Sequence, residues 1–146
     1  MENKIIAIGS DHGGFELKQE IIKYLTEKNI EYKDFGCYDE TSCDYTEYGK
    51  AVAEAVAAGK YEKGILICGT GIGISITANK VKGIRCALCS DCFSAEATRE
   101  HNDANILALG GRVVGTGVAL KIVDTFLNTP FSNEERHIRR ISRIES

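Results

Sequence analysis

The stretch Gly64-Ile65-Leu66-Ile67-Cys68-Gly69-Thr70-Gly71-Ile72-Gly73 is an unbroken apolar run that stops at a thiol and a glycine-rich turn. An apolar run without polar alternation marks a strand buried on both faces, and such strands belong to parallel sheets covered by helices. Three further runs, Ile5–Ile8, Arg85–Cys89 and Ile106–Leu109, share this character and also lead into Gly, Ser or Asp. A fifth, Glu31–Phe35, alternates and fits a strand nearer an edge. Between them the apolar residues recur with helical spacing, at Phe15, Leu17, Ile21, Ile22 and Leu25, at Tyr48, Val52, Ala55 and Val56, and at Val118, Ile122, Val123 and Phe126. Strand and helix alternate throughout, which implies right-handed crossovers. The expected fold is α/β: a Rossmann-like, three-layer α/β/α sandwich around a five-stranded parallel sheet. The order of its strands is not readable from the pattern.

With 146 residues the chain can build one core and is too short for two ordinary domains, so residues 1–146 read as one domain. Pro130, the lone proline, closes a helix that begins near Thr116, and a last helix follows over about residues 133–144. On it Ile138, Ile141 and Ile144 form a stripe that can pack, and the helix is expected to reach a neighbouring subunit. The net charge of −3 gives no general attraction to nucleic acid or to an anionic membrane. No apolar run approaches the roughly 18 residues of a membrane span, and Met1-Glu2-Asn3-Lys4 lacks a signal-peptide layout, so a cytoplasmic protein is expected. Its six cysteines are then expected as reduced thiols. Cys86, Cys89 and Cys92 superficially resemble part of an iron–sulfur ligand set. Residues three apart on a strand point to opposite faces, so they read instead as core fillers.

In an open parallel sheet, ligands bind beyond the carboxyl ends of the strands. Those ends supply Ser10-Asp11-His12-Gly13-Gly14, Cys68-Gly69-Thr70-Gly71-Ile72-Gly73 and Gly110-Gly111-Arg112. The glycine turn lets backbone amides approach an anion and opens a helix whose N-terminus favours negative charge. It lacks the Gly-Lys-Ser/Thr of a nucleotide P-loop. Ile74 stands where a dinucleotide fingerprint needs its third glycine, although Asp91 has the spacing of a ribose ligand. Amides adjoining Cys68 would favour its thiolate, a candidate base. Four of the seven arginines fall at positions 136, 139, 140 and 143, and Arg136 and Arg140 share one helical face. With Arg112 they could neutralise a phosphate dianion; the plain alternative is a solvated face beside Glu134, Glu135 and Glu145. His12, His101 and His137 have polar neighbours in the chain, and His137 reads as an incidental surface residue. No HxxxH or CxxH spacing suggests a metal.

Taken in order, Asp11-His12-Gly13-Gly14, Cys68 to Ser75, His101-Asn102-Asp103-Ala104-Asn105 and Arg112-Val113-Val114-Gly115 resemble the type B ribose-5-phosphate isomerases of the ribose/galactose isomerase family, almost from end to end. The resemblance implies interconversion of ribose 5-phosphate and ribulose 5-phosphate through an enediolate, without metal or organic cofactor, in a homodimer or homotetramer. It makes Cys68 the base between C1 and C2, and His101 the acid or base that helps open the ring. It gives Asp11 the sugar hydroxyls and Asn102 a substrate contact. The amides of Gly69, Thr70, Gly71, Ile72 and Gly73 face the enediolate, and Tyr45 and Thr70 line the pocket. His12, Arg112, Arg136 and Arg140 hold the phosphate. One branch of the family uses a glutamate at the position of Ser75, and serine cannot replace it as a base at neutral pH. Two other readings stand beside this one: an isomerase of hexose phosphates such as galactose or allose 6-phosphate, and a non-catalytic module that binds sugar phosphate or nucleotide.

His101 precedes the last strand and belongs at the amino edge of the sheet, whereas Cys68 ends its strand at the carboxyl edge. A strand of five or six residues spans roughly 17–20 Å. A site shared between two chains, with His101 and Asn102 donated by a neighbour, is therefore expected.

Overall fold

Both faces of the central strands carry apolar side chains, and the computed structural model, which describes residues 4–146, shows what covers each. The elements run β1 (Ile6–Ser10), a 3-10 turn (His12–Gly14), α1 (Phe15–Glu27), β2 (Tyr32–Asp34), α2 (Tyr45–Ala57) and β3 (Lys63–Cys68). They continue with α3 (Ile72–Asn79), β4 (Cys86–Leu88), α4 (Cys92–Asn102), β5 (Ile106–Gly110), α5 (Thr116–Asn128) and α6 (Glu135–Glu145). The strands form one parallel sheet in the order β2-β1-β3-β5-β4.

Successive side chains on a strand face opposite ways, so each strand feeds two cores. Ile6, Ile8, Ile65, Ile67, Leu107 and Leu109 pack with Leu17, Ile21 and Leu25 of α1, Ala95 of α4 and Phe126 of α5. Ala7, Leu66, Cys68, Ile106 and Ala108 pack on the other side with Val52 and Val56 of α2 and Ile74 and Ala78 of α3. This is the expected three-layer sandwich, with α2 and α3 forming one outer layer. Cys86 joins the α2–α3 core and Cys89 the opposite one, as residues three apart on a strand must. Burial pushes both thiols up, Cys89 to about 11, which favours the protonated form of each at neutral pH.

One expectation needs correcting. The run Arg85–Cys89 looks as apolar as the central strands, yet β4 is short and lies at the sheet edge beside β5, with Leu88 39% exposed. Sequence order does not reveal edge position, because the crossover from β3 passes over β5 before β5 has been made. On α6 the Ile138 and Ile144 stripe is left largely exposed, and the buried residue of the helix is His137. Among the described residues no helix is long and apolar enough to cross a membrane.

Lys18 of α1 is fully buried, with its ammonium on both oxygens of Asp34 at 2.7 and 2.8 Å and on the Cys37 carbonyl. It ties α1 to the loop that leaves β2 for α2. The register pairs Ser10 with Ile67 and Cys68 with Gly110, so the carboxyl ends of β1, β3 and β5 finish side by side.

Candidate active site

That shared rim gathers the first group of candidate residues. Cys68 is the last residue of β3, only 4% exposed, and its side chain lies on the α2–α3 side of the sheet. Gly71 adopts a left-handed φ of +80° at the N-cap of α3, a conformation that costs a side-chain-bearing residue energy. The turn aims the Gly71 N–H at the Cys68 sulfur, 3.1 Å away. An amide dipole thus points at the atom where thiolate charge would reside.

Neighbouring loops close around this turn. The Arg112 N–H donates to the Gly69 carbonyl at 2.9 Å, and the Arg112 guanidinium lies so near Gly69 that a Cβ there would be 3.3 Å from Nη1. Tyr45, first residue of α2, sits over Gly73, where a Cβ would come within 2.6 Å of its ring. Asp11 is buried and its Oδ1 accepts the Gly14 N–H at 3.1 Å, capping the 3-10 turn. His12 accepts the Cys43 N–H on Nδ1 at 3.1 Å, which places its own proton on Nε2, the nitrogen then able to donate to an anion. Asp11, His12, Tyr45, Cys68, Gly69, Thr70, Gly71, Ile72, Gly73 and Arg112 thus form one neighbourhood.

The second group lies elsewhere. His101 and Asn102 end α4 and precede β5, and with Arg136, His137, Arg140, Ile141 and Ile144 they line a groove of about 350 Å³. No residue of the first group lines it. His101 and Cys68 therefore stand at opposite edges of the sheet, and α4 packs on the layer opposite to the one Cys68 faces. The four phosphate candidates divide likewise, His12 and Arg112 on one rim, Arg136 and Arg140 in the groove.

Several residues of the groove escaped the sequence reading. His137 is no incidental surface residue: it is 4% exposed, lies against His101 with ring centroids 4.6 Å apart and the planes tilted by 39°, and has Nδ1 2.6 Å from Ser132 Oγ. Burial, followed by the charges of His101, Arg136 and Arg140, holds its imidazole below the ordinary value. The spacing of His137, Ile141 and Ile144 at i, i+4 and i+7 carries this signal, because it is one helical face. Arg85 and Arg99 brace the turn below His101. Arg85 donates to the carbonyls of Asn102 and Asp103 at 2.8 and 2.9 Å, and Arg99 pairs with Asp103 at 2.8 Å and donates to the Ala104 carbonyl. Lone basic residues beside apolar runs gave no hint of this role. Asp91 caps α4 through the Ser94 N–H at 2.7 Å, so it is engaged in the fold and not placed as a ribose ligand.

The fold and rim define an α/β domain in which a thiol, an amide-lined turn, a carboxylate and cationic groups converge, the equipment for proton transfer on a small anion. The chain belongs to the Ribose/Galactose Isomerase family, whose model matches residues 6–144. It is 49% identical to the ribose-5-phosphate isomerase B of Escherichia coli over 97% of this chain and 94% of that protein. The ribose-5-phosphate isomerase B structure from Clostridium thermocellum superposes with a TM-score of 0.95 at 54% identity, covering 97% of this chain and 95% of that one. A ribose 5-phosphate isomerase from Thermotoga maritima matches equally in shape, with a TM-score of 0.95 at 50% identity over 97% of each chain.

Proposed function

We propose that this protein is an aldose–ketose isomerase that interconverts ribose 5-phosphate and ribulose 5-phosphate through an enediolate. The observation that carries the reading is the single loop that supplies both a thiol and oriented amides, with the Gly71 N–H on the Cys68 sulfur. Shifting a hydrogen between C1 and C2 needs a base near those carbons and donors facing the developing oxyanion, each typically worth about 100-fold or more. Cys68 serves as the base, and the amides of Gly69 to Gly73 stabilise the enediolate. Asp11 orients the sugar hydroxyls, while Tyr45 and Thr70 shape the pocket. Acid–base groups suffice for this chemistry.

Ring opening and phosphate binding draw on the groove at the other edge of the sheet. The catalytic unit is accordingly a homodimer, in which one chain offers Cys68, His12 and Arg112 and its partner offers His101, Asn102, Arg136 and Arg140. A homotetramer would pair two such units. What supports this is the separation of the two groups in a single chain, together with the exposed face of α6.

Two measurements test the proposal. In deuterated buffer the enzyme should incorporate solvent hydrogen at C1 or C2 of ribose 5-phosphate; no exchange above background would favour a binding module, and a clear preference for galactose or allose 6-phosphate would favour the hexose reading. Cys68→Ala and His101→Ala should each be nearly inactive. Mixed after co-refolding in equal amounts, they should regain about a quarter of wild-type activity, since half the dimers are mixed and each of those holds one intact site. A mixture no more active than its parents would refute the shared site.

A further inference from the structure

We propose that Cys37 and Cys43 form a reactive dithiol beside His12, which a hydroperoxide closes to a disulfide and a trivalent arsenical bridges, and whose closure weakens binding of the sugar phosphate. The last part rests on the phosphate role proposed for His12; the dithiol chemistry does not.

The two residues bound the segment that leaves β2 for α2, and both are unpaired thiols. Cys37 is 4% exposed and its sulfur donates to the Asp39 carbonyl at 3.2 Å. Its N–H donates to the Ser10 carbonyl at 2.6 Å, two residues before His12, so both cysteines are anchored at the carboxyl end of β1; burial together with Cys43 pushes its thiol up. Tyr48 of α2 packs against the same loop, where a Cβ on Gly36 would come within 2.6 Å of its ring. Cys43 is half-buried, and its sulfur lies 3.9 Å from His12 Nδ1. Residues 38 to 42 between them are exposed, so this short connection is not locked by a core. Thiols anchored on residues two apart, with an exposed connection between them, need side-chain rotation and a backbone adjustment to reach the roughly 2.05 Å of a disulfide.

The chemistry balances with a hydroperoxide as oxidant. Cys43, the better exposed sulfur, attacks the terminal peroxide oxygen as thiolate; an S–O bond forms, the O–O bond breaks, and water or alcohol leaves after protonation. The Cys37 thiolate then attacks the sulfenic sulfur, forming the S–S bond and expelling hydroxide, which leaves as water. Two thiols lose two electrons and two protons, and one peroxide is reduced.

Closure acts on the site through backbone. The Cys43 N–H sets the tautomer of His12, and the next residue, Asp44, caps α2 by accepting the Thr46 N–H at 3.0 Å. Tyr45, which covers Gly73, lies between them. Drawing Cys43 toward Cys37 therefore pulls the His12 acceptor contact and the start of α2 together. Loss of one charge-assisted contact to phosphate corresponds to about a tenfold rise in KM.

Limited hydrogen peroxide followed by alkylation and trypsin tests this directly, because cleavage after Lys33 and Lys50 leaves both cysteines in one peptide. Expected is a 34–50 peptide lighter by two hydrogens and carrying no alkyl group, reversed by dithiothreitol and absent from Cys37→Ser and Cys43→Ser. Phenylarsine oxide should bind wild type with one arsenic per chain and neither variant. Both variants should keep basal turnover, and the oxidised wild type should show about a tenfold higher KM that dithiothreitol restores. A doubly alkylated 34–50 peptide after oxidation, with arsenical binding unchanged in the variants, overturns the dithiol. A disulfide that forms with KM unchanged upholds the dithiol and overturns its link to His12. A fall in kcat alone that persists in Cys43→Ser assigns the effect to Cys68 and overturns that link as well.

Discussion

Gly71 joins the fold to the chemistry, and replacing it by alanine separates two costs that usually arrive together. Its φ of +80° is left-handed, which costs an L-residue about 1–2 kcal/mol. In addition, a Cβ at position 71 would lie 2.8 and 2.9 Å from the Leu109 carbonyl carbon and oxygen, atoms of a central strand that cannot move aside, and 2.6 Å from Leu88 Cδ1. Forcing an extra methyl into such packing costs about 1–3 kcal/mol more. Gly59 provides the matched control: its φ is +79°, and nothing lies within 4 Å of the Cβ it would acquire. Gly59→Ala should therefore lose about 1–2 kcal/mol of stability, and Gly71→Ala about 2–5 kcal/mol. Urea unfolding of the two variants reads the difference. Only Gly71→Ala should also lower kcat, because the displaced N–H is the one on the Cys68 sulfur. Equal stability of the two variants, within about 0.5 kcal/mol, would refute the clash, and normal turnover in Gly71→Ala would refute the amide-to-sulfur argument.

Three more perturbations probe other parts of the molecule. Lys18→Met strands Asp34 and the Cys37 carbonyl and should cost about 3 kcal/mol in denaturant unfolding, the low end for breaking a buried ion pair because Asp34 is partly exposed; a loss under about 1 kcal/mol would show that the pair is dispensable. Folding holds the His137 imidazole below its ordinary value near 6.5, so the unfolded chain binds the extra proton. Stability should be complete above that pH and decline as pH falls through it, flattening in His137→Gln; equal slopes of Tm against pH for the two proteins would contradict this. Arg140→Ala should raise KM about tenfold or more with kcat nearly unchanged, as expected of a phosphate contact made equally in ground and transition states. Steady-state kinetics in which kcat alone fell would move Arg140 into the chemical step.

The layered architecture was legible from the chain because burial on two faces leaves a local mark: Ile65-Leu66-Ile67-Cys68 can be apolar throughout only if helices cover both sides. The glycine turn after Cys68 was legible for the same reason, since a turn and the strand before it lie within a few residues of each other. What the chain could not disclose were relations between distant segments. Arg85–Cys89 reads like a central strand, and only the strand order makes it an edge. His137 looks like a surface residue until α6 lays it on His101 and Ser132. Cys43 carries no signal until the loop brings its N–H and sulfur to His12. Periodicity records which face of an element is buried, so the sequence by itself determines layers and turns. Which elements become neighbours depends on packing summed over the whole sheet, and only the tertiary structure decides it.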